Sequence, residues 1–471
     1  MPTTVAGYPV ALLVHVAFVL AGLLIYVMGT HASGQRRHPS AALAWVLTIT
    51  LLPYVGLPLY ILLGTRKFAR PTRKALPALR PHAADLQSCA IATLEGMGLA
   101  PPIANHDIRF HADGQAAWEE LADLIAGAQR TLDICTFLLA NDAIGKRVMR
   151  LLEDRALAGV RVRLLLDAFG SWGTSRVKIR RLRAVGIQVH WYMPLLHNPL
   201  RNQVNLRNHR KLVIADNQRL WSGGRNLAAE YFTGKRHQPP WIDLSFSING
   251  PLAQEAQDLF NSQWPLDPAA GATRPHTPVE LLTVETSIVT GEVEHLAQMV
   301  PSGPDQSEDT FYDLLLTALY RAEQRVRAVT PYFVPDDALL TALCLAARRG
   351  VQVELVVPRH SNHRLADIAR ARALRDLVAA GGRVLLATGM VHAKAILIDD
   401  TLALSGSLNL DSRSLFLNFE LMMAFYSSED ISDLSQWMDV NFSNLKELQP
   451  VQPSLLRDTG EGLVRWLGFQ I

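Results

Sequence analysis

Two long apolar runs open the chain, and behind them short apolar runs alternate with amphipathic stretches to the end. Residues 9–29 (PVALLVHVAFVLAGLLIYVMG) and 41–63 (AALAWVLTITLLPYVGLPLYILL) contain no Asp, Glu, Lys or Arg. Each is close to the ~20 residues that cross a bilayer core, so the pattern predicts two transmembrane helices. A cleaved signal peptide is the competing reading of the first run. That run lacks a basic leader, is long for a signal, and is followed by a second run. Pro53, Gly56 and Pro58 predict a kink or a partly re-entrant course in the second.

Beyond residue 80 the pattern occurs twice. The first copy has an apolar run at 132–139, a helical stretch to Ala158, Gly159, and VRVRLLLD at 160–167. Gly186, IQVHWYM (187–193) and NHRKLVIADNQRLWSGGRN (208–226) follow. The second copy has VRAVTPYFV (326–334), a helical stretch to Arg349, Gly350 and VQVELVV (351–357). Gly382, RVLLA (383–387) and VHAKAILIDDTLALSGSLN (391–409) complete it. Strands alternating with helices predict an α/β architecture of two tandem lobes. A Pro-, Gly- and Ser-rich segment near 266–310 reads as the linker, with the boundary near 270. The expected division is therefore an anchor with its basic flank over 1–80, a first lobe over 81–270, and linker plus second lobe over 271–471.

Composition sharpens this. Of 471 residues, 49% are hydrophobic and 19% charged, which excludes a disordered chain. The three cysteines, Cys89, Cys135 and Cys344, have neither metal-ligand nor disulfide spacing and fit a reducing compartment. The net charge of +3 is uneven: residues 1–80 carry eight basic side chains and no acid, which leaves −5 for the rest. That split disfavours a globally basic nucleic-acid binder. Five basic residues from Arg66 to Lys74 follow the second run. With two spans, the amino end and the soluble part share a side, which the positive-inside rule makes the cytoplasm.

The repeated element carries the chemistry. His209 and Lys211 are two apart, as are His392 and Lys394, so each pair shares a strand face. The spacing from histidine to Gly223 or Gly406 is 14, and to Asn226 or Asn409 it is 17. Asp216-Asn217 and Asp399-Asp400 read as hairpin turns. The seven-residue offset points Asp216 and Asp399 away from the His-Lys face, toward a structural role. Lysines, asparagines, Ser407 and backbone amides make an anion site. Two histidines permit covalent catalysis on a phosphodiester, one neutral as nucleophile and one protonated as acid. That chemistry requires no metal or other cofactor.

With these paired His-x-Lys-x4-Asp motifs the chain resembles the phospholipase D superfamily, and within it the bacterial cardiolipin synthases. The resemblance runs through the second apolar run, NLRNHRKLVIAD, the SGPD at 302–305, the TPYFVPD at 330–336 and HAKAILIDDTLALSGSLNLDSRSLFLNFE at 392–420. It implies two α/β lobes sharing one site, a phosphohistidine intermediate and no metal. It implies phosphatidyl transfer between two phosphatidylglycerol molecules, giving cardiolipin and glycerol; the sequence does not separate phosphatidylglycerol from phosphatidylethanolamine as donor. It also implies a bacterial inner membrane protein with its lobes on the cytoplasmic side and no nucleic-acid partner. His209, Lys211, Asp216, His392, Lys394 and Asp399 match the catalytic motifs. Asn226 and Asn409 match phosphate-binding asparagines. Glu420 matches the acid that hydrogen-bonds the motif histidine and fixes its tautomer, with Asp243 as its first-copy equivalent. Gly224 stands where the second copy has Ser407, so the two cradles differ.

Other features carry blander expectations. RVKIRRLR (176–183) reads as a solvated helix face, and Trp172, Trp191 and Trp241 as core or interface aromatics. The stretch 194–208, without a counterpart in the second copy, is a candidate lid. A phospholipase D-type hydrolase, a membrane-tethered nuclease and a non-catalytic lipid-binding scaffold are the rival functions. The oligomeric state is left open.

Overall fold

The computed structural model describes residues 4–5, 8–32, 39–64, 67, 85–194, 205–265, 295–449, 453–454, 457 and 460–461. The expected linker core and the boundary near 270 lie outside these residues, as do most of the candidate lid, the basic flank except Lys67, and the C-terminal tail.

A short strand pair, β1 (Thr4–Val5) and β2 (Tyr8–Pro9), precedes α1 (Val10–Ala32). This helix alone is long and apolar enough among the described residues to cross a membrane, over Val10–Thr30. The expectation of two spans is not confirmed. The second run forms two helices, α2 (Pro39–Leu51) and α3 (Pro53–Leu63), broken at Leu52 where Pro53 starts a new helix. At 13 and 11 residues they reach about 20 and 17 Å, well short of a ~30 Å core. They fold back on each other. The Trp45 and Tyr60 rings, 15 residues apart, lie 5.4 Å centroid to centroid, whereas one continuous helix would separate them by about 22 Å. Gly56 makes the turn possible, because a Cβ there would stand 2.6 Å from the Thr48 carbonyl oxygen. The hairpin lies along α1: Tyr54 at its tip meets Phe18 at 5.0 Å, and Tyr60 near its open end meets Tyr26 at 5.2 Å.

Next come α4 (Leu86–Gly96) and β3 (Ile103–Asn105). The first copy follows as β4 (Asp107–Phe110), α5 (Gly114–Gly127), β5 (Thr131–Thr136), α6 (Ala143–Leu157), β6 (Arg161–Asp167) and α7 (Arg176–Ala184). It ends with β7 (Gln188–Tyr192), β8 (Leu212–Ala215), β9 (Arg219–Gly223), β10 (Ser245–Asn249) and α8 (Leu252–Gln263). The second copy opens with β11 (His295–Ser302), α9 (Thr310–Arg321), β12 (Arg325–Val329), β13 (Phe333–Val334), α10 (Asp337–Arg348) and β14 (Gln352–Pro358). It continues with α11 (Arg364–Ala379), β15 (Arg383–Ala387), β16 (Ala395–Ile398), β17 (Leu402–Gly406) and β18 (Leu410–Asp411). The last elements are α12 (Ser412–Phe416), β19 (Glu420–Phe425), α13 (Ser428–Phe442) and β20 (Lys446–Glu447).

Local chemistry explains the boundaries. Asp113, Asp142 and Asp336 each accept a backbone N–H three residues on, closing the first turns of α5, α6 and α10, and each such cap contributes about 1 kcal/mol. Gly159 and Gly350 stand at matching places after α6 and α10 with φ of 89° and 95°. That left-handed backbone ends the helix and aims the chain into the next strand.

The first sheet runs β4-β10-β9-β8-β5-β6-β7. The second runs β3-β11-β19-β17-β16-β12-β14-β15-β20, the same order of corresponding strands with one strand added at each edge. This is a mixed α/β fold with two repeats. Residues 86–105 precede the first copy in sequence yet pack on the second: Leu86, Ala90 and Leu94 enter its core, and β3 covers the edge of β11. A shared apolar core joins the two sheets, with Phe110 and Phe246 edge-on to Phe425 at 5.0 and 5.3 Å.

Candidate functional site

Two short bridges between the copies build the site. Asn208 pairs with Phe419, and Ile242 pairs with Val391. The His209 N–H donates to the Phe419 carbonyl (2.8 Å) and the His392 N–H to the Ile242 carbonyl (2.7 Å). Each histidine thus runs beside the other copy's chain, one residue before an acid. The acids are consequently crossed. Glu420 Oε1 lies 3.2 Å from His209 Nδ1, and Asp243 Oδ2 lies 2.7 Å from His392 Nδ1. Glu420 and Asp243 do contact the motif histidines. The 28-residue spacing of Glu420 from His392 suggests partners within one copy, and the lobe-to-lobe bridges overrule it.

The inequivalent cradles have a geometric cause. Ser407 Oγ donates to Glu420 Oε2 at 2.5 Å. At the matching Gly224 a Cβ would stand 2.2 Å from Asp243 Oδ1, so a serine has no room beside the shorter acid. Asp243 instead takes its own neighbour's N–H, from Leu244 at 2.8 Å.

The lysines and asparagines complete the cluster. Lys211 Nζ donates to the His209 carbonyl at 2.6 Å. Lys394 Nζ lies 2.8 Å from His392 Nδ1 and also donates to the His392 carbonyl. Asn226 Nδ2 donates to the Tyr231 hydroxyl (2.9 Å), and Asn409 Nδ2 donates to Ser414 Oγ (3.2 Å) while its side chain also hydrogen-bonds Asp411. Aromatic walls enclose the rings: Phe137 stands 4.2 Å from His209, and Tyr231 and Trp241 stand 5.0 and 5.6 Å from His392.

Burial and charge set the protonation. Burial pushes His392 down to about 4, assisted by the Lys394 ammonium and opposed by Asp243. Burial also lowers His209, with Glu420 opposing. Lys394 is pushed down to about 7 by burial, with Lys211 adding like-charge repulsion. The crossed histidine–acid pairs bring both motifs into one site, and the Lys211 charge adds to the positive field at His392 and Lys394. Burial disfavours ionised Asp243 and Glu420, yet the paired histidines, through charge and hydrogen bond, and then the lysines outweigh it and hold both carboxyls below the usual range. The cluster can bind an anion and offers two imidazoles held by carboxylates. Among the described residues no group of three or more His, Cys, Asp or Glu is arranged to hold a metal ion.

Asp216 and Asp399 stand apart from it, contrary to a direct catalytic part. Asp216 accepts the N–H groups of Gln129, Arg130 and Thr131 at 2.7–2.8 Å. Asp399 accepts those of Glu323, Gln324 and Arg325 at 2.9–3.1 Å. Both sit in hairpin turns at φ of 55° and 49°, where Asp is tolerated, and clamp the start of β5 or β12.

Sequence reasoning passed over Arg210. It is fully buried and forks onto Asp305 Oδ2 and Oδ1 at 2.8 and 3.0 Å, joining the first motif to the SGPD segment. The available signal was a charge inside one motif (His-Arg-Lys) where the other has alanine (His-Ala-Lys). Trp241 packs against the first copy's core and also lines the site beside His392. Trp172, expected in a core or an interface, is 67% exposed on the turn after β6. The basic run is α7, whose Ile179 and Leu182 are buried while Arg181 pairs with Glu153 at 2.9 Å.

The comparisons agree with this geometry. The family described as "Cardiolipin synthase, PLD-like domain" matches residues 121–264 and 315–445, and "Phospholipase_D-nuclease N-terminal" matches 13–64. Cardiolipin synthase A of Pseudomonas putida (strain W619) is 31% identical over 455 residues, covering 92% of this chain and 93% of that protein. Cardiolipin synthase A of Pseudomonas fluorescens (strain Pf-5) is 32% identical over 462 residues, covering 94% and 93%. In fold, the crystal structure of phosphatidylserine synthase from Haemophilus influenzae is similar at TM-score 0.60 and 15% identity, over 80% of this chain and 96% of that one. Duplicated motifs, crossed histidine–acid pairs and full-length relatives converge on one conclusion: the chain belongs to the cardiolipin synthases of the phospholipase D superfamily.

Proposed function

We propose that this chain is a membrane-anchored phosphatidyltransferase that joins two phosphatidylglycerol molecules into cardiolipin and releases glycerol. The observation that carries the reading is the meeting of two His-Lys pairs, each histidine held at Nδ1 by an acid of the other copy. With Nδ1–H donated to the carboxylate, Nε2 is the reactive nitrogen. One neutral imidazole attacks phosphorus; the phosphorus–oxygen bond to glycerol breaks, and the other imidazole, whose protonated form the bound phosphodiester's negative charge favours against burial, gives its proton to that oxygen. A phosphatidyl-histidine remains. The hydroxyl of a second phosphatidylglycerol gives its proton back to the free imidazole as its oxygen displaces the histidine nitrogen. Lys211, Lys394, Asn226 and Asn409 hold the non-bridging oxygens as charge gathers there. A phosphatidylethanolamine donor would follow the same steps, with ethanolamine leaving.

The hairpin of α2 and α3 also supports a reading of the topology. We take α1 as the single span and the hairpin as re-entrant, entering from the face at which α1 ends. Arg36, Arg37 and the five basic residues from Arg66 to Lys74 then share one side with the lobes, which makes that side the cytoplasm. Two spans would put Arg36 and Arg37 outside. Lys67 supports a site held near the bilayer, for it pairs with Asp309 at 3.0 Å in the same segment whose Asp305 holds Arg210. A tag on the amino end and one on the carboxyl end should be accessible from opposite sides; same-side access restores two spans.

Product analysis tests the function. Purified protein with labelled phosphatidylglycerol should yield cardiolipin and free glycerol, with both lost in His209→Ala and His392→Ala. Phosphatidic acid as sole product would make it a hydrolase.

A further inference from the structure

The site is symmetric at its histidines and asymmetric just beyond them. Arg207 stands two residues before His209. The side chains between point the other way, Asn208 to Cys135 and Gln263, Arg210 to Asp305. Arg207, His209 and Lys211 therefore follow one another along one face. Arg413 arrives from the second copy, four residues after Asn409, and its Nη1 and Nη2 donate to Asn205 Oδ1 and O at 3.0 and 2.7 Å. The backbone ties the two arginines to one place. The Asn418 N–H donates to the Arg413 carbonyl (3.1 Å) and the Phe419 N–H to the Arg207 carbonyl (2.9 Å). The next residue, Glu420, holds His209.

The corresponding positions on the other side carry no such charge. Met390 stands two residues before His392, and Glu230 stands four after Asn226. Glu230 pairs with Lys235 at 3.1 Å, and Tyr231 and Trp241 wall that side of His392. Two cations therefore flank His209, while a methionine, an acid and two aromatic rings flank His392.

The chemistry of the transfer has the same asymmetry. The acceptor's attacking hydroxyl lies one glycerol unit from the acceptor's own phosphodiester, so a site that favours a phospholipid acceptor needs a second anion subsite next to the first. Resting on the phosphatidyl-transfer reading, we propose that Arg207 and Arg413 form that subsite and hold the acceptor's phosphodiester while its hydroxyl meets the phosphatidyl-histidine. Guanidinium forks match a phosphodiester's paired oxygens. Burial and the Arg207 charge both lower the Arg413 pKa, with Asp411 and Asp167 offsetting part, and a bound anion relieves the repulsion. Water and free glycerol carry no phosphate and gain nothing from the pair, so its effect is selection of the acceptor.

The test compares two acceptors on the full-length protein in detergent–lipid micelles. Cardiolipin formation reads the phospholipid acceptor, and incorporation of labelled glycerol into phosphatidylglycerol reads the small one. In Arg207→Met, which copies Met390, and in Arg413→Gln, the ratio of cardiolipin to glycerol exchange should fall at least about ten-fold, the scale of one lost charge-assisted pair. Phosphatidic acid should rise as water takes over. Arg413→Lys should recover part of the ratio. Cardiolipin and exchange falling in step would overturn the proposal, because the pair would then serve the donor or the fold. Wild-type protein that performs neither reaction would instead refute the transferase reading itself.

Discussion

Glu420 of the second copy holds His209 of the first, Oε1 to Nδ1 at 3.2 Å, and Asp243 of the first holds His392 of the second at 2.7 Å. Neither lobe completes a histidine–acid pair alone. The two lobes must dock before either imidazole is oriented, so catalysis reports on the interface as well as on the motifs.

The crossed pairing makes a directional prediction. Glu420 opposes the burial that lowers His209, so Glu420→Gln should lower the His209 pKa further and leave Asp243–His392 intact. Asp243→Asn should do the same to His392 and spare His209. NMR titration of the two imidazoles checks this. Activity should fall roughly 10²–10⁴-fold in each variant, the range for losing an oriented acid–base group.

Lys394 supplies the pH dependence. Its pKa of about 7 means that the ammonium is lost as pH rises through neutrality. A bound phosphodiester favours the charged form, so the KM for phosphatidylglycerol should rise above about pH 7 and flatten below it. Lys394→Gln should raise KM throughout and remove this dependence, as initial rates across pH 6 to 9 would reveal.

Asp216 should act on stability rather than turnover. Burial opposes its ionisation, but the three backbone N–H groups of residues 129–131 prevail and lower its pKa. A carboxyl lowered on folding stabilises above its unfolded pKa, and that contribution is lost as pH falls through the folded one. Asp216→Asn keeps an acceptor and suits the left-handed turn. Asp216→Ala should cost about 1–3 kcal/mol in thermal or denaturant unfolding, with kcat of the folded fraction nearly unchanged.

Arg210 and Asp305 should couple strongly. Asp305→Ala strands a fully buried guanidinium and should destabilise by roughly 3–5 kcal/mol. Adding Arg210→Met should return part of that loss, so the double variant is more stable than the two single effects sum to. Denaturant unfolding of the three variants measures the coupling.

The duplicated framework was legible because every strand, helix and glycine stop writes its own local period, and both copies write it alike. The His-Lys face was legible for the same reason, and the offset of Asp216 and Asp399 from that face already pointed to their clamping role. The crossing of Glu420 and Asp243 was not. It follows from bridges at Asn208–Phe419 and Ile242–Val391, between segments too far apart in sequence for any periodicity to record. The return of α3 onto α2 was hidden likewise: apolar length counts residues without giving direction, and only Pro53 and Gly56 hinted at the turn. Residues 86–105 show the same limit, since no local signal says which of two similar sheets an extra edge strand will join.

The proposed mechanism requires a covalent relay through both motifs, and rapid-quench trapping detects it. Wild-type protein mixed with phosphorus-labelled phosphatidylglycerol should carry acid-labile label within the first turnover. One of His209→Ala and His392→Ala should carry none, since it lacks the attacking imidazole. Cardiolipin forming at full rate with no label on the protein at any time would contradict the account and require direct transfer between the two lipids.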